Sequence, residues 1–191
     1  YIIIGASSFI GVYTVEEFLK QGCEVAVTGR NSKFKGHYDK LGVKYYNVDL
    51  AYAEDFAQLP TEGVEGVILL GGLLPSNAEV NLDEEENAAD YFRINTIGTI
   101  NVLEYCRKNG IKKVISNCSY ADVRGAWGKH VITEDEPRDF IYTGDHAVYV
   151  FSKNAANDTM EYYNQQHGMQ CAWFRFPPVY GVGPHDSLFI N

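Results

Sequence analysis

The sequence predicts an α/β fold, a doubly wound parallel sheet with helices on both faces. Three observations carry that prediction. Short apolar runs alternate with stretches of helical spacing along the 191 residues. Three times a helical stretch ends at a glycine, and a strand-like run follows within a few residues. The run 67–70 is apolar throughout, as a strand covered on both faces must be. Strands that alternate with helices through short connections build right-handed βαβ units.

Each element follows from its residues. Residues 1–4, Tyr-Ile-Ile-Ile, read as a buried strand. Residues 10–21 have helical spacing, with Ile10, Tyr13, Phe18 and Leu19 available for one face and Gly22 as the stop. Strands are expected at 24–28, 44–47 and 67–70. A long helix is expected over 87–109, closed by Gly110. A strand over 113–117, a second long helix over 148–167 closed by Gly168, and a strand over 170–176 complete the pattern. The acidic run 83–86 reads as a solvated helix start.

Composition narrows the function. Hydrophobic residues make up 46% and charged residues 21%, the profile of a soluble globular chain. Lys plus Arg number 16 against 25 for Asp plus Glu, a net charge of -9. That balance argues against nucleic acid or an anionic membrane as partner. No apolar run is long enough to span a bilayer, and no signal peptide is expected at the start. Cys23, Cys106, Cys118 and Cys171 are scattered, and His37, His130, His146, His167 and His185 show no ligand spacing. No metal is expected, and reduced thiols in a cytoplasmic protein are. The chain opens on Tyr1 within a strand, so the ends of a longer natural chain are expected to be missing.

The first strand runs straight into Gly5-Ala6-Ser7-Ser8-Phe9-Ile10-Gly11 and then a helix. A strand, a glycine-rich turn and a helix N-terminus together make a dinucleotide phosphate site. Gly5 permits the tight turn, small residues at 6–8 let a pyrophosphate approach, and Gly11 lets the helix pack on the sheet. The second strand ends in Val27-Thr28-Gly29-Arg30-Asn31. An NAD site places an acidic residue there for the ribose 2′-hydroxyl, and none is present. Gly29 removes bulk and Arg30 offers a cation to a 2′-phosphate, which leans toward NADP. With NAD bound, Arg30 would instead stack on adenine or stay on the surface. Asp49, with Leu50, follows the third strand, where its carboxylate can accept from the adenine amino group. Leu70, Gly71 and Gly72 follow the fourth, where small residues let a cofactor cross the strand ends.

Tyr149 and Lys153 stand four apart and share one helix face. An ammonium beside a phenol favours the phenolate, so Lys153 is expected to lower the Tyr149 pKa. Such a tyrosine exchanges protons with a hydroxyl or carbonyl while a nicotinamide exchanges hydride. A second hydroxyl is expected from the end of the fifth strand, in Cys118-Ser119-Tyr120-Ala121-Asp122-Val123-Arg124-Gly125.

These residues resemble the extended short-chain dehydrogenase/reductases, the NAD-dependent epimerase/dehydratase family, over essentially the whole chain. The turn 5–11 looks like the family's glycine motif. Residues 95–101, Asn-Thr-Ile-Gly-Thr-Ile-Asn, look like its Asn-x-x-Gly-Thr-x-Asn segment. Tyr149 and Lys153 match its Tyr-x-x-x-Lys pair, and residues 175–181 look like its Arg-x-x-x-Val-Tyr-Gly element. The resemblance implies a Rossmann-like domain over residues 1–181, with 182–191 opening a substrate-binding subdomain mostly absent from this chain. It implies Tyr149 as acid/base, Lys153 on the nicotinamide ribose, and further cofactor contacts from Asn95, Cys118, Phe176 and Pro177. Substrate contacts are expected from Ser119, Asp122 and Pro178. A homodimer through the two long helices is a further implication.

Four departures shape the reading. Ser8 replaces the middle glycine of the turn. Aligning Ala121, Val123 and Gly125 on the family's Ala-x-Val-Tyr-Gly puts Tyr120 where the catalytic Ser or Thr stands, with Ser119 one position earlier, so either hydroxyl can fill the role. Ala121-Asp122 keeps half of the Asp-Glu pair of 4,6-dehydratases, and Pro178 stands where nucleotide-sugar members often carry Asn. The expected activity is hydride transfer at a hydroxyl or carbonyl carbon of a sugar or nucleotide-sugar, with NADP or NAD. A simple NADP-dependent carbonyl reductase and a non-catalytic NAD(P)-binding regulator are the alternatives.

Overall fold

The computed structural model describes residues 1–75, 88–143 and 147–182. Six parallel strands form one sheet in the order β3-β2-β1-β4-β5-β6. They are β1 (Ile2–Ile4), β2 (Ala26–Gly29), β3 (Lys44–Asn47), β4 (Gly66–Leu69), β5 (Lys113–Ser119) and β6 (Gln170–Phe176). The helices are α1 (Phe9–Lys20), α2 (Lys35–Lys40), α3 (Ala88–Tyr91), α4 (Gly98–Lys108) and α5 (Ala147–His167). The doubly wound parallel sheet expected from the sequence is the fold observed.

The central strands alternate between two cores, as a period of two demands. Ile2 and Ile4 of β1, with Val67 and Leu69 of β4, point into a cluster shared with Val102, Leu103 and Met160 of α4 and α5. Ile3 and Ile68 point the other way, against Val15 of α1 and Tyr38 of α2. Register pairs Ile3 with Val27 on one side and Ile68 on the other. Both faces of β1 and β4 are therefore covered, which is why their sequences are continuous apolar runs.

The helix expected over 87–109 is broken. A π-helical turn, Phe92–Ile97, joins α3 to α4, and residue 87 lies outside the described residues, as does the acidic run 83–86. The turn accounts for the motif 95–101 in physical terms. Asn95 is buried, and its carboxamide accepts from Leu73 N at 2.7 Å and donates to Ser152 Oγ at 3.0 Å. Thr96 donates to the Ser152 carbonyl at 2.9 Å, and Asn101 donates to the Leu50 carbonyl at 2.8 Å. A Cβ on Gly98 would sit 2.8 Å from Leu50 Cβ. The segment thus ties the loops after β3 and β4 to α5. Short helical turns at Ser32–Phe34, Ala53–Gln58 and Tyr120–Ala126 carry no strong sequence period and escape a periodicity reading.

Candidate active site

Between β1 and β4 the strand order reverses, and the strand ends there open into a cleft of about 920 Å³. A crevice at such a switch point is where open α/β sheets bind ligands. Its first wall is the β1–α1 turn. Gly5 sits at φ 83°, and a Cβ there would lie 2.3 Å from Gly71 N. Only glycine fits both the backbone and the space. Leu70 N and Gly71 N both donate to the Ile4 carbonyl, at 2.9 and 3.0 Å, which presses the β4 loop onto the turn. Ser8 caps α1, its hydroxyl accepting from Gly11 N at 3.0 Å. The replacement of glycine by Ser8 therefore gains an N-cap at the mouth of the phosphate turn.

The residues present fit a dinucleotide. Ser7, Ser8, Phe9 and Ile10 line the cleft at the start of α1, where first-turn amides lack intrahelical partners and favour an anion. At the β2 end the lining includes Arg30 and Asn31, with Thr28 Oγ1 buried and without a hydrogen-bond partner among the described residues. A Cβ on Gly29 would collide with Tyr45 Oη at 2.0 Å. The Tyr45 phenol, which donates to the Asn31 carbonyl at 2.6 Å, fills the place an acidic side chain would need. Asp49 lines the cleft with Leu50, and its Oδ1 accepts from Ala51 N at 2.9 Å.

The second wall is built by β5, the turn that follows it and α5. Tyr149 and Lys153 share the α5 face toward the cleft, as their spacing predicts. The Ser119 side chain lies near enough to the Tyr149 phenol to pull its pKa down. Ser119 also accepts from Ala121 N at 3.2 Å, capping the Tyr120–Ala126 turn. Tyr120 instead stacks on Trp127, with ring centroids 4.7 Å apart and planes at 10°. Of the two hydroxyls the sequence left open, the structure brings Ser119 to Tyr149.

The expected lowering of the Tyr149 pKa by Lys153 is not found. Burial raises the phenol well above its ordinary value, the Cys118 thiol adds to that, and the Ser119 side chain only partly offsets it. Lys153 is itself 4% exposed, and burial pulls its ammonium down to about 8. Its Nζ donates to Asn117 Oδ1 at 3.3 Å. The direction of the phenol is thus set by its own burial, while the Lys153 ammonium is turned to a neutral amide.

Gly71, Gly72, Leu70, Cys118, Phe176, Pro177 and Pro178 line the cleft as expected. Three expected contacts do not. Gly11 is buried beneath the turn, where a Cβ would meet the Gly5 carbonyl at 2.4 Å, so it acts through packing. Asn95 spends its carboxamide on Leu73 and Ser152. Asp122, expected at the substrate, is 2% exposed and accepts from Arg175 Nε at 3.0 Å, holding the turn to β6. Asp122 lies on the turn's inner face, whereas Tyr120 and Arg124 reach the cleft. Asn117 and Arg124 line the site without having been expected there. Arg124 occupies the tyrosine position of the family's Ala-x-Val-Tyr-Gly, and that departure was the available signal.

The four cysteines are free thiols, and no cluster of metal-binding side chains occurs among the described residues. No helix among them is long and apolar enough to cross a membrane.

Residues 1–191 match the model of the NAD dependent epimerase/dehydratase family. A putative UDP-glucose 4-epimerase of Methanocaldococcus jannaschii is 24% identical over 181 residues, covering 94% of this chain and 56% of that protein. The human sterol-4-alpha-carboxylate 3-dehydrogenase, decarboxylating, is 31% identical over 117 residues, 61% of this chain and 28% of the enzyme. The solved Thermus thermophilus UDP-glucose 4-epimerase in complex with NAD superposes with a TM-score of 0.72 at 24% identity, over 91% of this chain and 53% of that one. At that identity the likeness is one of fold. The chain thus spans about half the length of the relatives it matches over most of its own.

Proposed function

The chain belongs to the NAD dependent epimerase/dehydratase family, and on that premise we propose that it moves hydride at a hydroxyl or carbonyl carbon of a sugar or nucleotide-sugar. The observation that carries this reading is the Tyr149–Ser119 hydroxyl pair on the cleft wall, one helical turn from Lys153. When bound, the nicotinamide supplies the hydride acceptor or donor. Tyr149, a protonated phenol at neutral pH, donates a proton to a carbonyl oxygen in reduction and takes one from a hydroxyl in oxidation. Ser119 holds the same oxygen by hydrogen bond. Lys153 binds the nicotinamide ribose and supplies positive charge while Tyr149 is deprotonated. The full protein is read as a homodimer through α4 and α5.

For the cofactor we favour NADP. Gly29 brings no carboxylate to the end of β2, Tyr45 fills the space where one would stand, and Arg30 lines that end of the cleft. Titration with NADPH and NADH, followed by nicotinamide fluorescence, tests both readings. The expected result is tighter NADPH binding in the wild type and a loss of about tenfold in Arg30→Ala, the size of one charge-assisted hydrogen bond. Equal or tighter NADH binding returns Arg30 to adenine or the surface. Binding without turnover of any sugar or carbonyl compound supports a regulator instead.

A carbonyl reductase is the second reading, and Pro178 favours it. Pro178 lines the cleft but has no side-chain donor for a diphosphate. Turnover of small carbonyl compounds, with none of UDP-sugars, selects it.

A further inference from the structure

Arg124, Tyr120 and Trp127 form one unit on the substrate wall, and the mechanism above uses none of them. All three line the cleft on the turn that starts at Ser119. Tyr120 and Trp127 stack nearly parallel, and the Arg124 guanidinium lies over the Trp127 ring, 5.7 Å from its centroid. The Trp127 ring, itself backed by Tyr120, thus flanks a half-buried cation. Two carboxylates that hold this turn in place are engaged elsewhere. Asp122 is buried on Arg175, and Asp139 pairs with Lys129 at 3.5 Å while packing against Gly125. Among the described residues Arg124 makes no ion pair.

We propose that Arg124 is a specificity-determining residue that binds a carboxylate on the substrate, so that the preferred substrate is a sugar acid rather than a neutral sugar. This rests on the hydride-transfer reading and narrows its substrate class. The guanidinium presents a planar fork of donors matched to a carboxylate, and the Trp127 ring beside it limits the space it can sweep before the ligand arrives. Arg30 lies across the switch point at the end of β2 and Lys153 faces Asn117, so neither supplies a cation on this turn.

The test is calorimetric titration of the NADPH-loaded full-length protein with UDP-glucuronate, UDP-glucose, glucuronate and glucose. In the wild type each acid is expected to bind about 10- to 100-fold tighter than its neutral counterpart, the range for a charged hydrogen-bonded pair. In Arg124→Met that preference disappears while UDP-glucose affinity holds, and in Arg124→Lys part of it remains. Unchanged NADPH binding shows that the variants are folded. Equal binding of acid and neutral forms by the wild type overturns the proposal, as does a preference that survives Arg124→Met. Equal weakening of both UDP-sugars assigns Arg124 to the diphosphate and also overturns it. Binding of UDP-glucose without any acid preference sinks this proposal alone. Binding of none of the four sinks the sugar reading with it.

Discussion

Replacing Tyr149 by phenylalanine is expected to reduce turnover by about 10²- to 10⁴-fold, the range for a positioned acid/base, with dinucleotide affinity nearly unchanged. The substitution is clean because the ring is held by packing. Tyr149 is buried in a cluster with Leu73, Tyr91, Ala121 and Val150, and its ring meets that of Tyr91 at 6.1 Å and 64°. Phenylalanine keeps those contacts and removes only the phenol oxygen that faces Ser119. The direction of the phenol's pKa adds a second readout. Burial keeps it protonated at neutral pH, the form that donates to a carbonyl oxygen. Oxidation needs the deprotonated form, so the oxidation rate of the wild type is expected to climb with pH, and reduction is not. Steady-state rates in both directions across pH 6 to 10 check this. Full turnover by Tyr149→Phe would remove Tyr149 from the chemistry.

The parts of this site that the sequence discloses are those fixed by local geometry. The turn at Gly5 is visible because one residue must satisfy both a positive φ and a 2.3 Å approach to Gly71 N. Tyr149 and Lys153 are visible because a helix places residues four apart on one face. What was not visible depends on tertiary neighbours. Asp122 and Arg124 are two residues apart on a tight turn, and only the position of Arg175 on β6 decides that Asp122 faces inward. Ser119 and Tyr120 both offer hydroxyls, and only the stack with Trp127 draws Tyr120 aside. Asn95 reads as a ligand contact until Leu73 and Ser152 take up its carboxamide. The π-helical turn that aims it leaves no mark in the apolar period of its segment.

Lys153→Met is expected to stabilise the protein while abolishing turnover. Lys153 is 4% exposed, and its hydrogen bond among the described residues is a 3.3 Å contact with a neutral amide. An ammonium that titrates at 10.5 in an open chain titrates at about 8 here, through burial, with Cys118 partly opposing. At about 1.4 kcal/mol per pH unit, the charged form costs about 3 kcal/mol in the folded state. The sign follows from proton counts. Between pH 8 and 10.5 the unfolded chain holds the proton that the folded chain has lost, so stability rises with pH through that window, and the cost is fully present below pH 8. Raised phenols such as Tyr38, at about 12, act oppositely above pH 10, where the unfolded chain deprotonates first. The buried thiols Cys106, Cys118 and Cys171, all raised by burial, act in the same opposing sense from about pH 9, so the Lys153 contribution is read as the difference between the two proteins, in which thiols and phenols cancel. Methionine matches the stem and carries no charge, so the variant is expected to be about 1–3 kcal/mol more stable than wild type at pH 7, and that advantage is expected to shrink between pH 8 and 10. Urea unfolding of both proteins at pH 7, 8, 9 and 10 measures this directly. A variant less stable than wild type at pH 7 would mean that the amine is better partnered than burial implies. A stable but inactive variant would show that the protein tolerates an unfavourable buried cation for the sake of its site.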